Sequence, residues 1–117
     1  MIYDYAIIGA GAAGTLIADA LLSDPHFEKC SVLIVDRPGD QYIDRTWCFW
    51  SERNHALSHL VSHQWSEIYA GDSNDPNYQS IAPYTYQMIR GVDFHDYFRS
   101  RIKKNGQVEW VDRQGQA

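Results

Sequence analysis

Apolar positions in the first third of the chain follow one period and then another. Ile2-Tyr3-Asp4-Tyr5-Ala6-Ile7-Ile8 becomes continuously apolar toward its end, the pattern of a strand buried on both faces, as a central parallel strand is. Ala13, Leu16, Ile17, Ala20 and Leu21 then recur at helical spacing over residues 11–23, which predicts that they form the inner face of a helix with Asp19 outside. Asp24-Pro25 ends that helix, because proline biases its predecessor away from helical geometry. Residues 31–35 (Ser-Val-Leu-Ile-Val) read as a second buried strand that stops at Asp36.

The middle of the chain is less regular. Residues 37–44 read as a loop, followed by an aromatic string with no clean period. The segment from Glu52 to about Trp65 predicts a helix with Ala56, Leu60 and Val61 on an apolar side. Residues 66–69 suggest a short strand, and 71–79, with Pro76, a polar exposed connection. Residues 84–90 alternate as a strand should, so that these strands would be antiparallel additions. Asp93 is a good N-cap for the next helix, with Asp96 as an imperfect capping-box partner. Phe94, Tyr97, Phe98 and Ile102 form its apolar stripe, Arg101, Lys103 and Lys104 suit its C-terminal dipole end, and Asn105-Gly106 stops it. Residues 107–112 then predict a strand beside 32–35, the third member of a parallel sheet, and the tail 113–117 reads as frayed.

Chemistry enters between the first strand and the first helix. Gly9-Ala10-Gly11-Ala12-Ala13-Gly14 fits G-x-G-x-x-G without a gap on either side. Gly9 suits the tight turn, Gly11 the approach of a pyrophosphate, and Gly14 close packing of helix on strand. The helix behind it has free N–H groups and the positive end of its dipole, which stabilise an anion. Asp36 follows Gly14 by 22 positions, close to the spacing of about 20 at which an acid accepts hydrogen bonds from the adenosine ribose. Its charge would repel a 2′-phosphate. The hexapeptide alone is a weak signal; strand, motif, helix, second strand and terminal acid together are a strong one for dinucleotide binding. Its competitor is a glycine-rich turn of an unrelated α/β protein. The irregular stretch after Asp36 departs from a plain nicotinamide-binding repeat and favours FAD.

Other candidates are weaker. Arg45 would suit a phosphate or a carboxylate, or equally loop carbonyls; Trp47, Phe49 and Trp50 suit either a ligand-facing wall or ordinary core. His55, His59 and His63 recur every four residues, but three ligands over two turns of one helix would diverge from a single tetrahedral ion, so no metal site is expected. The chain has 15 acidic and 10 basic residues, a formal net charge of −5, which offers no long-range attraction to nucleic acid. Its two cysteines fit a reducing compartment. No stretch approaches the roughly 20 apolar residues of a membrane span, and Asp4 beside Met1 is unlike the basic start of a signal peptide.

These readings give an α/β fold class: a Rossmann-like FAD-binding βαβ unit with an inserted small antiparallel sheet. The corresponding organisation is a βαβ unit with the aromatic segment over 1–50, an insertion that begins a substrate domain over 51–91, and a returning helix and strand over 92–117. Three parallel strands do not cover both faces of a doubly wound sheet, so the chain reads as an N-terminal part of a larger protein.

Four segments also resemble one family. Residues 3–14 (YDYAIIGAGAAG), 32–37 (VLIVDR), 44–50 (DRTWCFW) and 84–98 (YTYQMIRGVDFHDYF) are similar, in the same order, to the N-terminal third of bacterial lycopene β-cyclases. The string 44–50 is the discriminating one; the glycine motif and Asp36 are common to many flavoproteins. The resemblance implies a flavin monooxygenase-like fold and an isomerase of carotenoid biosynthesis that converts the linear ends of lycopene to β-ionone rings through a monocyclic intermediate. It implies FAD, NAD(P)H as reductant of the flavin, and no net redox change. Gly9, Gly11, Ala12, Ala13 and Gly14 would then hold the pyrophosphate, and Asp36 with Arg37 the ribose side. Arg45, Thr46 and Trp47 would lie along the path toward the flavin. The family's acidic, glutamate-rich motif does not occur in these residues, so Glu52, Glu109 and Asp112 are not put in its place, the catalytic acid is not assigned, and the chain alone is expected to be inactive. A cytoplasmic protein in peripheral contact with the inner membrane is implied by the lipid-dissolved substrate. The competing expectations are another flavoprotein of the superfamily (a monooxygenase, halogenase or prenyl-chain reductase), which would consume NAD(P)H in proportion to product, and a non-catalytic nucleotide-binding module.

Overall fold

A computed structural model describes residues 2–37, 45–52, 54–74 and 77–112. Residues 38–44 of the expected loop, Pro76 and the tail from Arg113 lie outside the described residues. In chain order the elements are β1 (Tyr5–Ile8), α1 (Ala12–Ser23), β2 (Val32–Asp36), β3 (Thr46–Ser51), β4 (Val61–Trp65), β5 (Glu67–Tyr69), β6 (Tyr78–Ser80), β7 (Thr85–Arg90), α2 (Gly91–Lys103) and β8 (Val108–Asp112), with short 3-10 turns at Pro25–Phe27 and Ser58–Leu60. They divide into two compact units, one of Met1–Gln41 with His95–Ala117, the other of Tyr42–Phe94.

The first unit holds a parallel three-stranded sheet in the order β1-β2-β8. β2 is its centre, with Val32 and Ile34 fully buried, and β8 pairs with it from Val32↔Val108 to Asp36↔Asp112. Phe98 and Ile102 of the expected α2 stripe are buried here. The Asp4 carboxylate accepts from the Ser31 backbone N–H at 2.8 Å and ties the entrance of β1 to that of β2. The Gln107 side-chain amide donates to the Phe27 and Cys30 carbonyls, which fixes the entrance of β8.

Two expectations about this unit need correction. β1 is an edge strand rather than a strand buried on both faces, and Ile8 is 67% exposed. On α1 the inward residues are Thr15 and Ala18, while Ala13, Leu16, Ile17 and Ala20 are exposed, Ile17 by 58%. The backbone of α1 lies close against the turn at Gly14, and the most apolar stripe of the helix points outward. A third correction concerns α2, which begins at Gly91, so that Asp93 lies in the first turn rather than at the N-cap; its charge still favours that end of the dipole.

The second unit contains an antiparallel sheet in the order β3-β7-β4 and a separate β5-β6 pair. The string without a clean period is in fact a strand: exposure alternates along β3, with Trp47 and Phe49 half-buried and Thr46, Cys48 and Trp50 outward. The aromatic side chains on both faces obscure the alternation. The helix expected over 52–65 is not formed. Its second half is β4, which pairs with β7 from Val61↔Ile89 to Trp65↔Tyr86 across a bulge between Val61 and His63. Backbone pairing with β7 overrides a weak helical period. Gln87 and Ile89 of β7 are buried, and the Trp47 and Phe94 rings stand 5.0 Å apart.

Candidate functional site

The first helix begins at a turn that only glycine fits. Gly9 has φ +97°, a conformation an L side chain rarely adopts, and its N–H donates to the Val35 carbonyl at 2.7 Å. Gly14 has no room for a side chain: a Cβ there would overlap the Gly9 carbonyl oxygen and lie 3.3 Å from Cγ2 of Ile7. Gly11 is the opposite case, since a Cβ at this position would meet nothing within 4 Å. Gly11 is also the N-cap of α1, with no side-chain capping bond and no acidic residue in the first turn. The N–H groups that open α1, from Ala12 to Gly14, stand at the positive end of a helix dipole.

Thr15, which sequence reasoning passed over, stabilises this turn. Its hydroxyl donates to the Ala10 carbonyl at 3.1 Å and is buried. A polar residue amid a helical apolar run was the available signal.

Asp36 ends β2 on the same carboxyl edge of the sheet from which β1 enters the glycine turn. Its side chain is 4% exposed and accepts from the Arg99 guanidinium at 3.0 Å. Arg99 also lies over the Trp110 ring, 5.1 Å from its centroid. This partner is 63 positions away, so no local pattern announces it. Arg37 follows, exposed. Arg45, Thr46 and Trp47 belong to the second unit. There the Arg45 backbone carbonyl accepts from the Gly91 N–H at 2.6 Å and so satisfies a first-turn donor of α2. Thr46 is exposed, and Trp47 packs on Phe94.

His95 on α2 is buried, and its pKa is lowered from 6.5 to about 4, first by desolvation and then by the charge of Arg99, against the opposing pull of Asp36 and Asp96. Because the folded value lies below the ordinary one, the unfolded chain takes the proton first on acidification. The stabilisation from neutral His95 is complete above about pH 6.5 and is lost as pH falls toward about 4. Roughly 2–3 kcal/mol should disappear over that window. Urea unfolding at pH 7 and pH 4.5 should show the loss in the wild type and a much smaller one in His95→Gln; equal losses would remove His95 as the cause.

His55, His59 and His63 do not share a helix face. His63 lies in β4, and the His55 Nε2 is 2.8 Å from the Gln87 side-chain oxygen while its Nδ1 accepts from the Leu57 N–H. Among the described residues no group of three metal-ligating side chains converges, and no helix is long and apolar enough to cross a membrane.

A comparison with curated proteins found no match. The family model described as "Lycopene cyclase protein" matches residues 4–114, a span that covers most of both units and holds every strand and helix described above. With carotenoid cyclisation as the family's general activity and a parallel strand–glycine turn–helix–strand unit at its start, this chain belongs to the lycopene cyclase family.

Proposed function

We propose that the first unit supplies the adenosine and pyrophosphate end of an FAD site in an enzyme that closes the ends of lycopene to β-ionone rings. The observation that carries this reading is the contrast among the three glycines of the turn. Gly9 and Gly14 are required by the backbone itself, whereas a Cβ at Gly11 would meet nothing within 4 Å among the described residues. A pyrophosphate at that place fits the uncapped N-terminus of α1, where backbone N–H groups of Ala12, Ala13 and Gly14 supply donors without the cost of a buried charge.

In this reading Asp36 accepts from the adenosine ribose, Arg37 flanks it, and Arg45, Thr46 and Trp47 line the course toward the flavin. Bound reduced flavin, with NAD(P)H as its reductant, supplies negative charge near the reacting polyene end without a net transfer of electrons. The rest of the task falls to protein side chains: to hold the polyene end folded, to exclude water and to deliver and remove one proton. The lipid-dissolved substrate favours a peripheral contact with the cytoplasmic face of the inner membrane.

Gly11→Ala in the complete enzyme tests the site. A methyl group would cost the fold little, since it meets nothing within 4 Å, but it would occupy the place of the pyrophosphate. Overpacking of about 1–3 kcal/mol corresponds to a rise in Kd for FAD of roughly fivefold to a hundredfold, read by flavin fluorescence, with the melting temperature of the flavin-free protein nearly unchanged. Unaltered FAD affinity would eliminate the site.

A further inference from the structure

One face of the β3-β7-β4 sheet carries an aromatic row that the fold does not use. Trp50, Tyr86 and Trp65 are direct cross-strand neighbours, so their side chains share a face. Trp50 and Tyr86 meet edge to face with centroids 4.8 Å apart, and Trp65 stands 6.2 Å from Tyr86 on the other side. The next row on that face is Cys48, Met88 and His63, and the His63 ring stacks on Trp65. The opposite face, with Trp47, Phe49, Gln87 and Ile89, is the packed one. Trp50 remains 54% exposed and Trp65 45%. Two exposed tryptophans joined through a tyrosine across three strands make a patch rather than scattered surface residues.

The two rows contain no carboxylate, lysine or arginine; the third row of the same face pairs Thr46 with the exposed Arg90. The Trp50–Tyr86–Trp65 end of the face, two rows from Arg90, is suited to a neutral, rod-like hydrocarbon. It has one further electrostatic property: the π faces of Trp and Tyr are negative and attract positive charge, all the more when water is excluded. Cyclisation of a polyene end begins with a proton added to the terminal double bond. The resulting tertiary cation is attacked by a neighbouring double bond, which forms the ring bond, and loss of a proton from the ring restores a double bond. One proton enters and one leaves, and no electrons are exchanged.

We infer that the Trp50–Tyr86–Trp65 row is the surface against which a carotenoid end is held, with its indole and phenol rings stabilising the positive charge that develops during ring closure. The inference rests on the cyclase reading and adds to it the residues that would meet the substrate. It fits an open aromatic row, two rows removed from Arg90 on the same face, in a family that acts on carotenoids.

The experiment uses the complete enzyme with lycopene dispersed in detergent, and the variants Trp50→Leu, Trp65→Leu and Trp50→Phe. Leucine keeps the surface apolar and removes the ring; phenylalanine keeps a ring. Turnover is expected to fall roughly tenfold or more in each leucine variant and much less in Trp50→Phe, with the monocyclic product accumulating over the bicyclic one. KM should change by less than about threefold, since apolar contact is conserved. Flavin content and its reduction should match the wild type, which separates failure of this inference from failure of the FAD assignment. Wild-type turnover in both leucine variants would overturn it. Two other results would also do so: loss of binding to lipid vesicles with turnover in detergent intact, which makes the face a bilayer contact, or a change of oligomeric state that accounts for the loss.

Discussion

Gly14→Ala is expected to destabilise the first unit by about 3 kcal/mol or more, although helix propensity alone argues the reverse. An alanine in place of glycine inside a helix normally gains about 1 kcal/mol, and Gly14 lies inside α1. Here the added carbon would overlap the Gly9 carbonyl oxygen and crowd Ile7. Neither neighbour yields easily. The Gly9 carbonyl belongs to a turn held by the Gly9–Val35 backbone bond, and Ile7 pairs with Ile34 in the sheet. Relief would require α1 to lift off β1, which would expose the buried Ala18 and break the close approach around Thr15. Urea unfolding followed by circular dichroism gives the sign directly. With Gly11→Ala as control, the two substitutions should separate cleanly, Gly14→Ala lost in stability and Gly11→Ala close to wild type. A Gly14→Ala protein as stable as the wild type would mean that α1 does not sit this closely on the turn.

Asp36→Ala carries the second large effect, and it combines two consequences. The carboxylate is buried against the Arg99 guanidinium at 3.0 Å. Removing one member of such a pair costs more than the pair contributes, because the survivor is left desolvated. Arg99 is 21% exposed and lies over Trp110, so some of its charge would still be met by water and by the ring. We expect a loss of roughly 2–4 kcal/mol, below the upper range for fully buried pairs. Asp36→Asn should lose less, because its amide oxygen still accepts from Arg99. The proposed ribose contact is separated from this structural role by Arg99→Met. That variant also loses stability but leaves the Asp36 oxygens in place, so FAD affinity should be retained, whereas Asp36→Ala should weaken it roughly tenfold, as loss of a charge-assisted hydrogen bond does. Equal FAD affinity in Asp36→Ala and wild type would leave Asp36 with the ion pair alone.

The fold was legible where a local rule and a tertiary requirement agree. Residues 31–35 read as a buried strand ending at Asp36, and Val32–Asp36 form the centre of the parallel sheet, because a run of Val, Leu and Ile admits few other placements. The stripe of Phe94, Tyr97, Phe98 and Ile102 was visible for the same reason; Phe94, Phe98 and Ile102 are buried and Tyr97 is half-buried. Residues 107–112 could be assigned as a strand beside β2 from the helix stop at Asn105-Gly106, and β8 pairs there. The helix expected over 52–65 failed because a short period of four in a polar segment competes with pairing to β7, which becomes visible only when Val61 faces Ile89 from 28 positions away. The α1 stripe failed differently. Its helical period is present, but the residues turned inward are Thr15 and Ala18 rather than the most apolar ones.

The site divides along the same line. The strand, the glycine hexapeptide and the acid 22 positions on were all determined by sequence alone, since each answers a local backbone or spacing requirement. The tertiary structure decided that Gly14 has no space and Gly11 has it, that Asp36 is held by Arg99, and that Trp50, Tyr86 and Trp65 form one exposed row. Those facts depend on distances between segments up to 63 positions apart in the chain. A period along the sequence specifies which residues share a face, but the partner that covers that face is chosen by packing.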